Sequence, residues 1–229
     1  MKKIIGILII ASFSTFTANA EILSVGISGN AGMLDAKGSE TFNSKTSTRS
    51  EELAIAYVSG FAELHAPFNI GPGNFRAGIS FVPYALESET TTRVAAEGEL
   101  GGNPGDAERT PKPGFTQKVQ VDIEDLTQMY ISYHVGMFFV KGGVMEADLV
   151  TNEKLGSGSS YGNASLEGSF WAIGFDKPVM DNGIFIRGEL AQTAFDAVKL
   201  LSTGSDNTNI INISGLDGIN FGLSVGKSF

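Results

Sequence analysis

The sequence contains no cysteine, so an exported form of this chain would have to hold together without disulfides. Histidine occurs only twice and tryptophan once. No His or Cys spacing suits a metal site, so neither a metal nor a cofactor is expected. Basic residues are the minority, with 16 Lys and Arg against 25 Asp and Glu. That balance provides no basic patch for nucleic acid. Beyond the first twenty residues there is no uninterrupted apolar run of the length a membrane-spanning helix requires. Yet 42% of the residues are hydrophobic and 29 are glycine, which is too apolar for a disordered chain. Short alternating strands reconcile these facts.

The amino-terminal segment reads as an export signal. Lys2 and Lys3 precede an apolar run, Ile4 to Ile10, and Ala18-Asn19-Ala20 has the small-x-small form of a cleavage site. This order predicts a signal peptide over residues 1–20 and a single domain over residues 21–229. Removing the signal takes two lysines and no acid, so the remainder is more acidic than the formal charge of −9 for the whole chain.

At the carboxy-terminus Ile219, Phe221, Leu223, Val225 and Phe229 alternate with Asn220, Gly222, Ser224, Gly226 and Ser228. Successive strand side chains point to opposite faces, so this is a strand with one apolar face and one small, polar face. Seven more segments alternate, at about 22–34, 53–65, 74–85, 119–134, 138–147, 165–176 and 184–195. Their connections alternate between long and short. Outer-membrane barrels have short periplasmic turns and long external loops. The pattern therefore predicts an all-β chain, an eight-stranded antiparallel transmembrane β-barrel. Both termini and the turns at 66–73, 135–137 and 177–183 would lie in the periplasm. The 35–52, 86–118, 148–164 and 196–209 loops would face outside.

From Glu21 to Phe229 the chain resembles the small outer-membrane β-barrels of the OmpA and OmpX type, eight-stranded members of a porin-like superfamily. The segments that carry the resemblance are 139–144, 184–190 and 218–229. It implies residence in the outer membrane of a Gram-negative cell, contact with outer-membrane lipid and lipopolysaccharide, and recognition by the outer-membrane assembly machinery through Phe229. Two residues depart from the family pattern. Lys227 sits on the outward face, where its amine can snorkel to water. Pro83 cannot donate a ladder hydrogen bond, so the third strand either leaves the sheet there or bulges.

The inward face carries Arg76, Lys141, Arg187 and Glu189, with Tyr130 and Gln128 at similar height. These read as a buried ion-pair network plugging a narrow lumen, because isolated buried charges are expensive. A selectivity ring in a narrow porin-like channel for small solutes or ions is the alternative. The aromatics Tyr57, Phe61, Phe75, Phe81, Tyr133, Trp171, Phe175 and Phe229 read as membrane-interface residues. Asp122, Glu124 and Asp125 read as a solvated outer rim. His65 and His134 lie beside periplasmic turns, and His134 shares an inward face with Ser132 without a visible third group, so no catalytic set is expected. The Gly98–Gly105 stretch lacks the Lys-Ser or Lys-Thr of a phosphate loop. A non-enzymatic structural and surface role follows, with the 86–118 loop as the expected contact for an extracellular partner.

Overall fold

The computed structural model describes residues 21–42, 45–87, 91–95, 115–154, 160–203 and 210–229. The expected signal peptide, the Gly98–Gly105 stretch and loop residues 88–90 and 96–114 lie outside the described residues. The strands are β1 (Leu23–Phe42), β2 (Lys45–Ile70), β3 (Gly73–Phe81), β4 (Leu86–Glu87), β5 (Thr91–Ala95), β6 (Phe115–Val135), β7 (Phe138–Lys154), β8 (Ala164–Pro178), β9 (Ile184–Phe195), β10 (Val198–Leu201) and β11 (Ile210–Ser228).

Eight of them form a ring in the order β1-β2-β3-β6-β7-β8-β9-β11, and β11 pairs back onto β1. The closing seam runs from Ser24↔Ser228 to Thr41↔Ile210. Every pair is antiparallel, and the short strands β4, β5 and β10 extend the wall on β6 and β11. Two of the short turns hold two residues each. Gly71 (φ 62°) precedes Pro72, and Gly136 (φ 60°) precedes Met137. A left-handed first residue is what a type II′ hairpin demands, and glycine meets it without strain.

The eight expected strands are all present, but most run further than their hydropathy suggested. Asp35–Phe42 stays paired with Lys45–Glu52, so the expected 35–52 loop is nearly all hairpin. β7 likewise continues to Lys154, well into the expected 148–164 loop, whereas β11 begins at Ile210, where the expected 196–209 loop ends. These extensions are rich in Ser, Thr and charge, which reads as loop by composition, although β pairing satisfies their backbone equally well.

The reason for the change of composition is visible in the facing. In the lower part of the barrel Ile27, Met129, Ile131, Val140, Ile219 and Leu223 are exposed, forming an apolar outer belt. The inward partners are small or polar, such as Ser24, Ser132 and Ser224. Above the belt the polarity inverts. Asp35, Glu52, Glu146, Glu167 and Asp217 point outward and are exposed. The inside becomes a packed apolar core of Leu34, Val82, Leu126, Met145, Leu149, Leu166 and Leu216. A wall in hydrocarbon shows apolar residues outward, and a wall in water hides them. One strand alternation serves both media.

Ile131 lies midway up the belt. The substitution Ile131→Arg is expected to lower unfolding stability in lipid vesicles by about 2–4 kcal/mol. Asp148→Arg, above the belt, should change it by less than about 0.5 kcal/mol. Urea titration of the folded barrel measures both.

Candidate functional site: a closed polar lumen

The lumen is centred on Arg187 of β9. Its Nε and Nη2 donate to Asp176 Oδ1 and Oδ2 at 2.6 and 3.1 Å. Nη1 and Nη2 donate to Glu63 Oε1 and Oε2 at 2.6 and 2.8 Å. Four of its five N–H groups are thus held by two carboxylates in forked geometry. Asp176 lies directly opposite Arg187 across the β8–β9 ladder, whereas Glu63 reaches it from β2, so the cluster ties separate parts of the wall together. Arg76 of β3 adds bonds to Asp176 Oδ2 (2.9 Å) and Glu63 Oε2 (3.5 Å). Tyr130 donates its hydroxyl hydrogen to Glu63 Oε1 at 2.9 Å. Two cations and two anions balance inside a wall that leaves the Glu63 side chain no solvent exposure.

Glycine makes room for this cluster. Gly26, Gly78, Gly174 and Gly226 face directly across to Phe61, Tyr130, Phe139 and Phe185. Each ring lies so close that a Cβ on the glycine would sit 2.4–2.5 Å from it. Folded flat over glycine, the rings of Phe61, Phe139 and Phe185 surround the Arg187 guanidinium at 5.0–5.4 Å. Cation–π attraction adds to the ion pairs where water is excluded.

A second layer sits above. Lys141 Nζ lies 2.5 Å from Glu189 Oε2 and 4.6 Å from the Tyr130 ring centre. Asn220 donates to the Tyr57 hydroxyl at 2.9 Å, and Asn30 donates to Ser59 Oγ at 3.2 Å. Between the layers lies a cavity of about 30 Å³, lined by Ser28, Gln128, Lys141, Glu189 and Ser224 among others. That is room for two or three waters. Above it the barrel interior is filled by the apolar core.

The lumen residues expected from sequence, Arg76, Lys141, Arg187, Glu189, Tyr130 and Gln128, are placed together inside the barrel, though in two layers rather than one. Two aromatics are corrected. Tyr57 and Phe61 are not at the membrane face but inward, each 8% exposed, because β2 carries its large residues on the lumen side and Ala54, Ala56, Gly60 and Ala62 outside. Phe81, Trp171, Phe175 and Phe229 are exposed on the outer face. Phe75 and Tyr133 pack together at 4.8 Å, with the Tyr133 hydroxyl donating to Ile70 O. Lys227 lies over the Phe229 ring at 4.8 Å. Glu63 was missed as a partner, although continuing the inward period from Phe61 by two residues reaches it.

The third group behind Ser132 and His134 is Asp176. Ser132 Oγ is 2.9 Å from His134 Nε2, and His134 Nδ1 is 3.4 Å from Asp176 Oδ2, within ion-pair reach but outside hydrogen-bond geometry. The set has the order of a nucleophilic triad. However, Ser132 is 2% exposed, does not line the cavity, and its acid is already engaged by two arginines. Asp122 is also not a solvated rim residue. It is buried and accepts from Gln120 and Asn152 side-chain amides. Glu124 and Asp125 sit at a bulge, with Asp125 left-handed at φ 54°. Among the described residues no group of His, Asp and Glu could hold a metal ion.

Several solved structures are similar. Ail, the attachment invasion locus protein of Yersinia pestis, in complex with the heparin analogue sucrose octasulfate, shares 10% identity over 89% of this chain and 99% of its own, with a TM-score of 0.34. Outer membrane protease OmpT from Escherichia coli shares 11% over 94% and 99%, TM-score 0.34. A Pseudomonas aeruginosa FadL homologue shares 8% over 91% and 91%, TM-score 0.34. No family model matches the chain, and no curated protein matches it. The closed pairing, the apolar outer belt and the polar lumen make this a transmembrane β-barrel of the outer-membrane type.

Removing Glu63 would leave the buried Arg187 half-paired. Glu63→Ala is expected to lose about 3–5 kcal/mol of unfolding stability. The double variant Glu63→Ala/Arg187→Ala should lose less than the two single losses added. Urea unfolding in lipid vesicles reads both.

Proposed function

We propose that this protein is a non-enzymatic structural and surface barrel of a Gram-negative outer membrane, with a plugged lumen and with its extended wall and outer loops presented to the cell exterior. The observation that carries the reading is the double seal. The Arg187 cluster closes the lumen near the short turns, and the apolar core closes it at the far end. What remains for function is the outside: the belt against lipid, and the acidic wall above it against lipopolysaccharide and extracellular partners, including one at the 86–118 loop. Both termini and the short turns then face the periplasm, where Phe229 meets the assembly machinery. A narrow channel for small ions or solutes is the second reading, and the polar cavity beside Lys141 and Glu189 supports it.

Reconstituted in a planar bilayer, the full chain is expected to give no steady single-channel steps. Steady steps that vanish in Arg187→Ala would replace the first reading by the second. Orientation has a separate test that exploits the absence of cysteine. On intact cells a membrane-impermeant maleimide should label Glu51→Cys and leave Asp181→Cys unlabelled. The reverse pattern would invert the topology.

A further inference from the structure

One carboxylate oxygen in the lumen is shared by three basic groups. Asp176 Oδ2 accepts from Arg76 Nη1 at 2.9 Å and from Arg187 Nη2 at 3.1 Å, and His134 Nδ1 stands 3.4 Å away. The Asp176 backbone N–H donates to Met137 O of the β6–β7 turn at 2.7 Å, so Asp176 sits at the short-turn end of the barrel. β3 and β8, which carry Arg76 and Asp176, are separated in the ring by β6 and β7. The Arg76–Asp176 bond is therefore a clasp across the lumen and not a contact between neighbouring strands.

The three groups are held unequally. Arg187 is fixed by four hydrogen bonds to two carboxylates. Arg76 has one short bond to Asp176 and one long contact to Glu63, and its Nε has no partner among the described residues. Its side chain is 14% exposed, so it has water to retreat into. His134 is buried and fixed in place, its ring stacked on Phe139 at 5.0 Å and its Nε2 2.9 Å from Ser132 Oγ.

The charged groups facing His134 are Arg76 from β3, Glu63 from β2, Asp176 from β8 and Arg187 from β9. They sum to zero while the imidazole is neutral. Lys141 of β7 is paired with Glu189, and His65 of β2 is bonded to Ser24. With the Ser132 hydroxyl donating to Nε2, the neutral ring carries its proton on Nδ1, the Asp176 side. A second proton makes the ring a cation and sets three positive groups around one oxygen. Like charges at that distance disfavour one another, and the loosest of the three is Arg76.

We propose that His134 and Arg76 compete for Asp176, so that the short-turn end of the plug is a clasp released by acid. At neutral pH Arg76 ties β3 to β8. When His134 takes up a proton, its Nδ1–H closes on Asp176 Oδ2, and the Ser132 hydroxyl turns to accept from Nε2–H. Arg76 then swings out to water. The charge inside stays even, with Arg187 and protonated His134 against Glu63 and Asp176. The inference rests on the plugged lumen proposed above. Failure of the plug would show as conductance at neutral pH, a result on which the measurements below do not depend.

The full chain in lipid nanodiscs is titrated from about pH 7.5 to about pH 4, a range that brackets the ordinary histidine value. NMR follows the side-chain Nε–H signals of Arg76 and Arg187 and the ring signals of His134. Arg76 is expected to move to the free-arginine position as His134 titrates, with Arg187 unmoved. His134→Gln should hold Arg76 in place throughout. Arg76→Gln should raise the proton affinity of His134 at least about tenfold, because its competitor is gone. Both variants should keep the heat-dependent gel shift of a folded barrel. The clasp is overturned if His134 titrates while Arg76 stays, or if His134 has the same proton affinity in Arg76→Gln. It is also overturned if Arg76 is released in His134→Gln, which would assign the release to the carboxylates.

Discussion

Hydrocarbon offers nothing for a peptide group to bond, and the architecture follows from that constraint. A sheet in a bilayer has to consume its own edges, and here β11 returns to β1 along nearly the whole length of both strands. Closure fixes register, and register fixes which side chains look inward. Once Ser24 sits against Ser228 and Asp176 against Arg187, the contents of the lumen are determined. Among the described residues the β2–β3 ladder ends early, at Gly60↔Phe81.

The lumen shows how a narrow barrel accommodates charge. A buried ion pair is no guarantee of stability over an apolar filling, but once the groups are charged every one must be matched. Arg187 meets two carboxylates, Glu63 meets two arginines and a tyrosine, and the aromatic rings that box them lie flat only because glycine is opposite. The glycines and the charges are thus one arrangement. A side chain at Gly26 or Gly226 would displace a ring, and the ring would displace the guanidinium.

Much of this was legible in the sequence, and the exceptions have physical causes. Period-two alternation located all eight strands and set Arg76, Lys141, Arg187 and Glu189 on the faces that point into the barrel, because one residue in two is all that facing requires. Tyr57 and Phe61 were misassigned because aromatics were expected at the membrane interface, whereas in β2 the outward positions are held by alanine and glycine. Glu63 escaped because its strand was faced the wrong way, with Tyr57 and Phe61 outward. The ring-over-glycine pairs escaped because they depend on which residue lies across the ladder, a relation between strands that a single strand's pattern does not contain. The hairpin extensions escaped because composition distinguishes oil from water, not strand from loop. Pro83 was legible as an interruption, and the β2–β3 ladder does stop just before it.

The inversion of polarity along the strands also gives the barrel a fixed depth. The exposed acids Asp35, Glu52 and Asp217 stand together in one row where the apolar belt ends. Sinking one of them to the bilayer centre would cost about 2.5–3.5 kcal/mol. The row therefore acts as a float line, resisting any tilt or slide that would draw the wall above it into oil.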